Sequence, residues 1–360
     1  QMCIRDRYLL LCSSLILLLF GCYWMKKNSA DGRLLIWQCG INMVKDAPWI
    51  GHGLGSFEAH YMDYQANFFK QCGQSRFSML ADNVKQPFNE YLGLLLNFGI
   101  IGLLVLLLLM VIIIYCYRKN PSVEKQIAFY SLSSIGIFSF FSYPFAYPFV
   151  WVVTFLSIFI ITSEYIKPLF SNILIKKIAC MFILTYSLFG SSKLFERIQA
   201  ELDWGKASTL ALCKSYNETL PTYERLEKMF VSNPYFLYNY AAVLQEMKQY
   251  TESLEVALKC RQYWADYDLE LIIGENYQQL NKPELAEKYY NSASMMCPSR
   301  FLPLYKLFHL YKTNGEKERS LAMAEAVISK PMKIKTTTIR MMKREMEREI
   351  QKMNMSIKLE

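Results

Sequence analysis

Asn89 and Glu90 stand where a polar, proline-bearing loop, "NVKQPF", runs without a break into the apolar stretch "YLGLLLNFGIIGLL". An amide and a carboxylate at that seam can begin a helix, since Asn caps an N-terminus and the helix dipole favours an acid in the first turn. The same pair can also hold or deprotonate a polar substrate at the mouth of a membrane. Upstream, "GHGLG" sets Gly51, Gly53 and Gly55 around His52. Glycines this dense let backbone N–H groups approach an anion, or they simply make a turn; the run follows a proline instead of a strand, so it is no nucleotide fingerprint. The ten cysteines and three histidines include no CxxC pair and no clustering at ligand spacing, so no metal site is expected. His309 has no neighbour at ligand spacing and reads as packing or surface. Cys39 and Cys72 share one loop, where a disulfide is open to them.

The elements around these residues follow from composition. The chain is 53% hydrophobic and 15% aromatic over 360 residues, with the apolar residues crowded into the first half. Residues 8–24, 92–117, 127–141, 149–161 and 173–190 are long or apolar enough to be read as about five membrane spans. Lys176 and Lys177 mark the entrance of the last. Arg118, Lys119 and Lys125 lie in one short connection and Lys167, Lys176 and Lys177 in another, while "SYPFAYP" between spans has no charge. The positive-inside bias makes the two basic connections cytoplasmic, and the loop at 25–91 and everything after the fifth span then lie outside. Between residues 32 and 46 the apolar positions recur at helical spacing, as in a helix lying along the membrane surface.

From Asn233 the sequence repeats every 34 residues or so, the tetratricopeptide spacing. Gly274, Tyr277, Ala286, Tyr290, Ala293 and Pro298 define one unit; Ala241, Leu244, Ser253, Ala257 and Cys260 precede it by one period; Leu307, Tyr311, Gly315, Ser320 and Ala324 follow. A degenerate unit precedes these at about 210–234. Small residues belong where paired helices cross, aromatics between pairs. The formal charge is +9, and nine Lys and Arg against four Glu fall within residues 330–360. A surplus confined to one tail excludes nucleic-acid binding and suits a capping helix, with anionic lipid headgroups as a lesser reading. The expected organisation is all-α: a first span at 1–24, a loop at 25–91, four spans at 92–190, repeats at 191–330 and a charged helix at 331–360. The chain opens on Gln1 and reads as a fragment, and its first seven residues, "QMCIRDR", resemble translated sequencing-adapter text.

"GRLLIWQCGINMVKDAPWIGHGLGSF" followed by "FNEYLGLLLNFGIIG" resembles the C-terminal core of the O-antigen ligase and polymerase superfamily of bacterial envelope glycan transferases. Arg33, Trp37, Pro48, Gly51, Gly53, Phe57, Asn89, Gly99 and Gly102 match its signature. Members carry ten or more spans, so the resemblance implies that about half the membrane domain precedes this stretch. It implies transfer of a glycan from undecaprenyl pyrophosphate to an acceptor lipid, glycan or protein at the periplasmic face of the inner membrane, without a cofactor. A diphosphate leaving group needs fixed cations, and a guanidinium offers paired donors that stay charged near lipid. Arg33 is the first candidate for that role, with Arg76 and Lys85 behind it and the glycines and His52 as further substrate contacts. The family's His shortly before the Asn is missing: Gln86 and Phe88 stand there, and neither is a general base. His52 or His60 must then reach the seam, or Glu90 take the proton, or Gln86 merely position substrate beside Asn89. The alternative is a non-catalytic, membrane-anchored scaffold for polysaccharide assembly whose repeats hold a partner protein; transport of the lipid-linked glycan gains nothing from the sequence, because no charge pair falls inside the spans.

Overall fold

The computed structural model describes residues 21, 23–73, 75–166 and 173–357, and these are all-helical apart from turns and extended connections. The span expected at 8–24 lies almost wholly outside them. Helix α1 (Lys27–Asp46) and helix α2 (Ser56–Cys72) form the loop region, joined by the glycine turn. Helix α1 begins earlier than the apolar spacing suggests, and much of its apolar face is buried in protein. Leu35, Ile36, Cys39 and Met43 are buried with Phe57, Tyr61 and Phe69 of α2. The reason is that the repeats supply a protein surface for that apolar face, as shown below.

Helix α3 (Glu90–Lys119) starts on Asn89, whose side chain accepts from the Leu92 N–H at 2.9 Å. Its 30 residues are interrupted at Gly99, and the 20 that follow rise about 30 Å, enough to cross a bilayer. Helix α4 (Val123–Phe138) returns, the short 3-10 turn Pro144–Ala146 follows, and helix α5 (Pro148–Ile166) descends again. The ends pair as a membrane bundle requires. At the seam, the Glu90 N–H donates to the Ser139 carbonyl at 2.9 Å. At the far end, Asn120 donates to Glu164 at 2.7 Å and Lys125 lies 3.2 Å from the same carboxylate. Among the described residues, three helices are long and apolar enough to span: Glu90–Lys119, Pro148–Tyr165 and Lys176–Leu212. The 16-residue α4 is shorter than a full span, yet it climbs from the Lys119 end back to the seam.

Helix α6 (Ile173–Leu212) is continuous for 40 residues, about 60 Å, so one rod runs through residue 190 and on into the soluble half. Its last turns pack against helix α7 (Tyr216–Leu226) around Ala200, Ala207, Tyr223 and Phe230, so the degenerate first repeat borrows its first helix from the rod. Three hairpins follow: α8 (Pro234–Glu246) with α9 (Tyr250–Arg261), α10 (Tyr267–Gln279) with α11 (Pro283–Met296), and α12 (Leu302–Thr313) with α13 (Lys317–Ser329). Helix α14 (Thr337–Ile357) closes the stack, burying Met346 on Phe308 and Ala324. The repeat positions are core as expected: Ala241, Ala257, Cys260, Ala286, Tyr290, Ala293 and Ala324 are fully buried. At Gly274 a β-carbon would meet the Tyr290 ring at 2.6 Å, which is why that crossing needs glycine. Neighbouring units share a buried chain of hydrogen bonds, Asn276 to Ser253 and Ser253 to the Ala241 carbonyl, each 2.8 Å.

The loop region and the repeats form one core. Leu35, Met43, Tyr61 and Phe69 sit in the same cluster as Tyr267, Leu271, Tyr290 and Met296. The Gln65 side chain donates to the Met296 carbonyl at 2.6 Å, and the Ala265 N–H to the Glu58 carbonyl at 2.9 Å. Arg261 bridges Asp63 of α2 and Glu270 of α10. Segments sharing a dry core cannot lie on opposite sides of a bilayer, so the loop and the repeats occupy the same side.

Candidate functional site

Arg33 and Trp37 are four residues apart on α1 and therefore lie on one face. That face holds the loop just before the seam. The Trp37 indole N–H donates to the Pro87 carbonyl at 3.0 Å, and the Arg33 guanidinium stands 5.5 Å from the centre of the Phe88 ring while donating to the Phe141 carbonyl at 3.1 Å. Phe88 has φ +53°, a left-handed conformation that costs a β-carbon-bearing residue about 1–2 kcal/mol. The strain turns its ring toward Arg33 and against Tyr143, 5.3 Å away.

A cavity of about 240 Å³ opens between α1, α2 and the extended segment before the seam. Its wall includes Asn28, Ser29, Arg33, Gln65, Asp82 and Phe88, with Leu35, Ile36 and Val84 as its apolar part. One guanidinium, one carboxylate and three neutral polar side chains over an apolar floor suit a polar ligand with an apolar part.

The remaining candidates are placed as follows. Asn89 caps α3. Glu90 accepts from the Phe145 N–H at 2.9 Å and so pins the turn between α4 and α5 to the seam; it does not line the cavity. Gln86 lies half-buried beside the seam and outside the wall. Lys85 faces away, 4.2 Å from the centre of the Tyr235 ring and 5.2 Å from that of Trp264, and Arg76 stacks on Phe77 at 4.7 Å. His52 pairs its Nε2 with the Met43 carbonyl at 2.8 Å, which assigns Nε2 the proton. Its ring is 6.0 Å from that of His60, whose pKa burial lowers; neither histidine lines the cavity.

The glycine turn is not an anion nest. The Gly51 N–H donates to Ala47 at 3.1 Å, and those of His52 and Gly53 donate to the Leu96 and Asn97 carbonyls at 2.8 and 3.1 Å. Those carbonyls are free because α3 breaks at Gly99, φ +61°, and the N–H groups of Ile100 and Ile101 in turn donate to Pro48 and Trp49. A broken helix at membrane depth leaves backbone groups that must be satisfied by protein, and the turn satisfies four of them. Approach is so close that a β-carbon at Gly51 would sit 2.6 Å from the Asn97 backbone and one at Gly99 2.4 Å from Trp49. The glycine motifs thus belong to the scaffold. Cys39 and Cys72 are both free: Cys39 is buried, its thiol pushed up to about 12 by desolvation, and Cys72 is exposed, so the disulfide does not form. Among the described residues no group of His, Cys, Asp and Glu could hold a metal.

Asp82 and Gln65 escaped the sequence reading. Phe88 was visible only as a departure from the family's His, while Asp82 and Gln65 carry no local signal, because their role comes from α2 and the repeats closing around them.

Residues 8–107 match the family model described as O-antigen ligase. No curated protein matches the chain. Similar solved structures include YrrB, described as a TPR protein with an unusual peptide-binding site, at 19% identity and TM-score 0.33, covering 36% of this chain and 66% of that one, just under two thirds. MamA is similar at 13% identity and TM-score 0.35, covering 43% of this chain and 89% of its own, and the MamA RS-1 ArsTM double mutant at 16% and 0.33, covering 42% and 76%. At these TM-scores the tetratricopeptide assignment rests on the chain's own packing.

Proposed function

We propose, from the match of residues 8–107 to the O-antigen ligase family, that this chain belongs to a membrane glycan transferase that takes a glycan from undecaprenyl pyrophosphate. The observation that carries the reading is Arg33, held by Phe141 and Phe88 in the wall of a cavity at the lip of the membrane. An acceptor hydroxyl attacks the anomeric carbon of the donor sugar, and the bond from that carbon to the diphosphate oxygen breaks with its electron pair. The guanidinium neutralises the charge that develops on the leaving diphosphate. The hydroxyl proton goes to the departing diphosphate, whose oxygen becomes basic as the bond breaks, while Asp82, the wall's one carboxylate, is already engaged by Arg300. By the positive-inside bias the site faces the periplasm. The repeats, packed directly behind the site, present the acceptor or a partner protein.

Arg33→Gln in the complete gene product tests this. The expected result is loss of surface glycan by about a hundredfold or more, as for removal of a transition-state donor, with the protein still at normal level in the membrane. Normal glycan would overturn it. The non-catalytic scaffold is favoured by one observation, the absence of histidine from the cavity wall; it predicts normal glycan for Arg33→Gln and loss on removing the repeats.

A further inference from the structure

The cavity as the loop region builds it has one cation, Arg33, and one carboxylate, Asp82, so its formal charge is zero. A diphosphate diester brings about two negative charges, one on each phosphorus. The missing positive charge comes from the other half of the chain. Asp82 Oδ1 accepts from Arg300 Nη2 at 2.7 Å, and Asp82 Oδ2 lies 3.7 Å from Lys333 Nζ. Arg300 sits in the turn between α11 and α12, and Lys333 just before α14. Both side chains are partly exposed, with side-chain relative accessibilities of 52% and 36%, so neither is locked out of reach of a ligand. Asp82 is tied further by Gln65, which donates to its backbone carbonyl at 3.3 Å. Neither Arg300 nor Lys333 lines the cavity itself, but both stand against the carboxylate that does, so Asp82 and its surroundings carry three cations against one carboxylate, a surplus of two.

We infer that Arg300 and Lys333 of the repeat domain are part of the diphosphate site, with Asp82 the placeholder that holds them at the cavity until the ligand's phosphates take its place. This rests on the functional reading above and adds to it: the repeats complete the donor site in addition to facing a partner. The chemistry recognised is a diphosphate ester, and the domain that supplies the cations is replaceable only by one that docks on Asp82 in the same way.

The test is titration of the full detergent-solubilised chain with inorganic pyrophosphate at two ionic strengths. The unaltered chain binds with an affinity that falls with salt. The Arg300→Gln, Lys333→Gln double variant binds at least tenfold more weakly with a flatter salt dependence, Arg300→Lys retains most of the affinity, and Asp82→Asn binds more tightly because a competing negative charge is gone. A purely structural contact predicts the opposite for Asp82→Asn, since losing either partner would undock the domain equally. Weakening by Asp82→Asn, or wild-type binding by the double variant while Arg33→Gln loses it, overturns the inference and leaves the role of Arg33 standing. Failure of the unaltered chain to bind overturns both.

Discussion

Arg33, Phe88 and Glu90 divide the seam's labour by geometry. Arg33 is in the cavity wall, Phe88 holds it there from a strained backbone, and Glu90 is turned to the Phe145 N–H. A carboxylate that accepts a backbone hydrogen bond keeps doing so as an amide oxygen. Glu90→Gln is therefore expected to preserve both protein level and glycan transfer within about threefold, as for a mutation that preserves a neutral acceptor; a hundredfold loss measured as surface glycan would restore Glu90 as the base. Asn89 and Glu90 could be assigned as helix starters from sequence because capping is local. The direction of the Glu90 side chain could not, because its partner lies 55 residues away.

The element that most constrains this protein is the break in α3. Gly99→Ala adds a β-carbon 2.4 Å from the Trp49 backbone in a left-handed position, where neither side can yield. A loss of more than about 3 kcal/mol is expected, read as collapse of yield and of the melting transition in detergent. Gly53→Ala is the control: its φ is +93° but nothing lies within 4 Å, so only about 1 kcal/mol of backbone strain is at stake. A second element shows a pH signature. Asp266 caps α10, accepting from the Asp268 and Leu269 N–H groups, and is 2% exposed. Burial first, then the charge of Asp268, raises its carboxyl from 3.8 to about 6. A raised acid favours the folded state while protonated, so that stability is full below about pH 4 and is lost as pH rises through 6, by up to about 3 kcal/mol. Asn caps a helix equally well. Melting of Asp266→Asn against the parent between pH 4 and 7 should show the parent losing ground steadily and the gap flat above 7; parallel curves would contradict the shift.

At the scale of the molecule, the shared core puts the loop region and the repeats on one side of the membrane. Cys72 at the end of α2 and Cys213 just after α6 are free and exposed, on segments that the packing places on one side. An impermeant thiol reagent on intact cells is expected to modify both, the periplasmic outcome, while Cys39 and Cys260, both buried, stay unmodified until unfolding. Modification of one but not the other would contradict the arrangement, and modification of neither would move both segments to the cytoplasm.

The sequence alone determined the all-helical class, the repeat register and the start of the main span. Each depends on periodicity or capping, and those are written in residues three to thirty-four apart. Arg33 and Trp37 were legible as a pair only through the family signature they match, and α1 then sets them one helical turn apart. The tertiary structure alone decided what the motifs are for. The glycines of residues 51 to 55 became the backbone partner of a helix broken near residue 99, Lys85 turned from the substrate to the repeats, and Asp82 met Arg300 across more than two hundred residues. Such encounters depend on how rigid elements pack, and no local pattern of residue types records which distant surface will close over a given side chain.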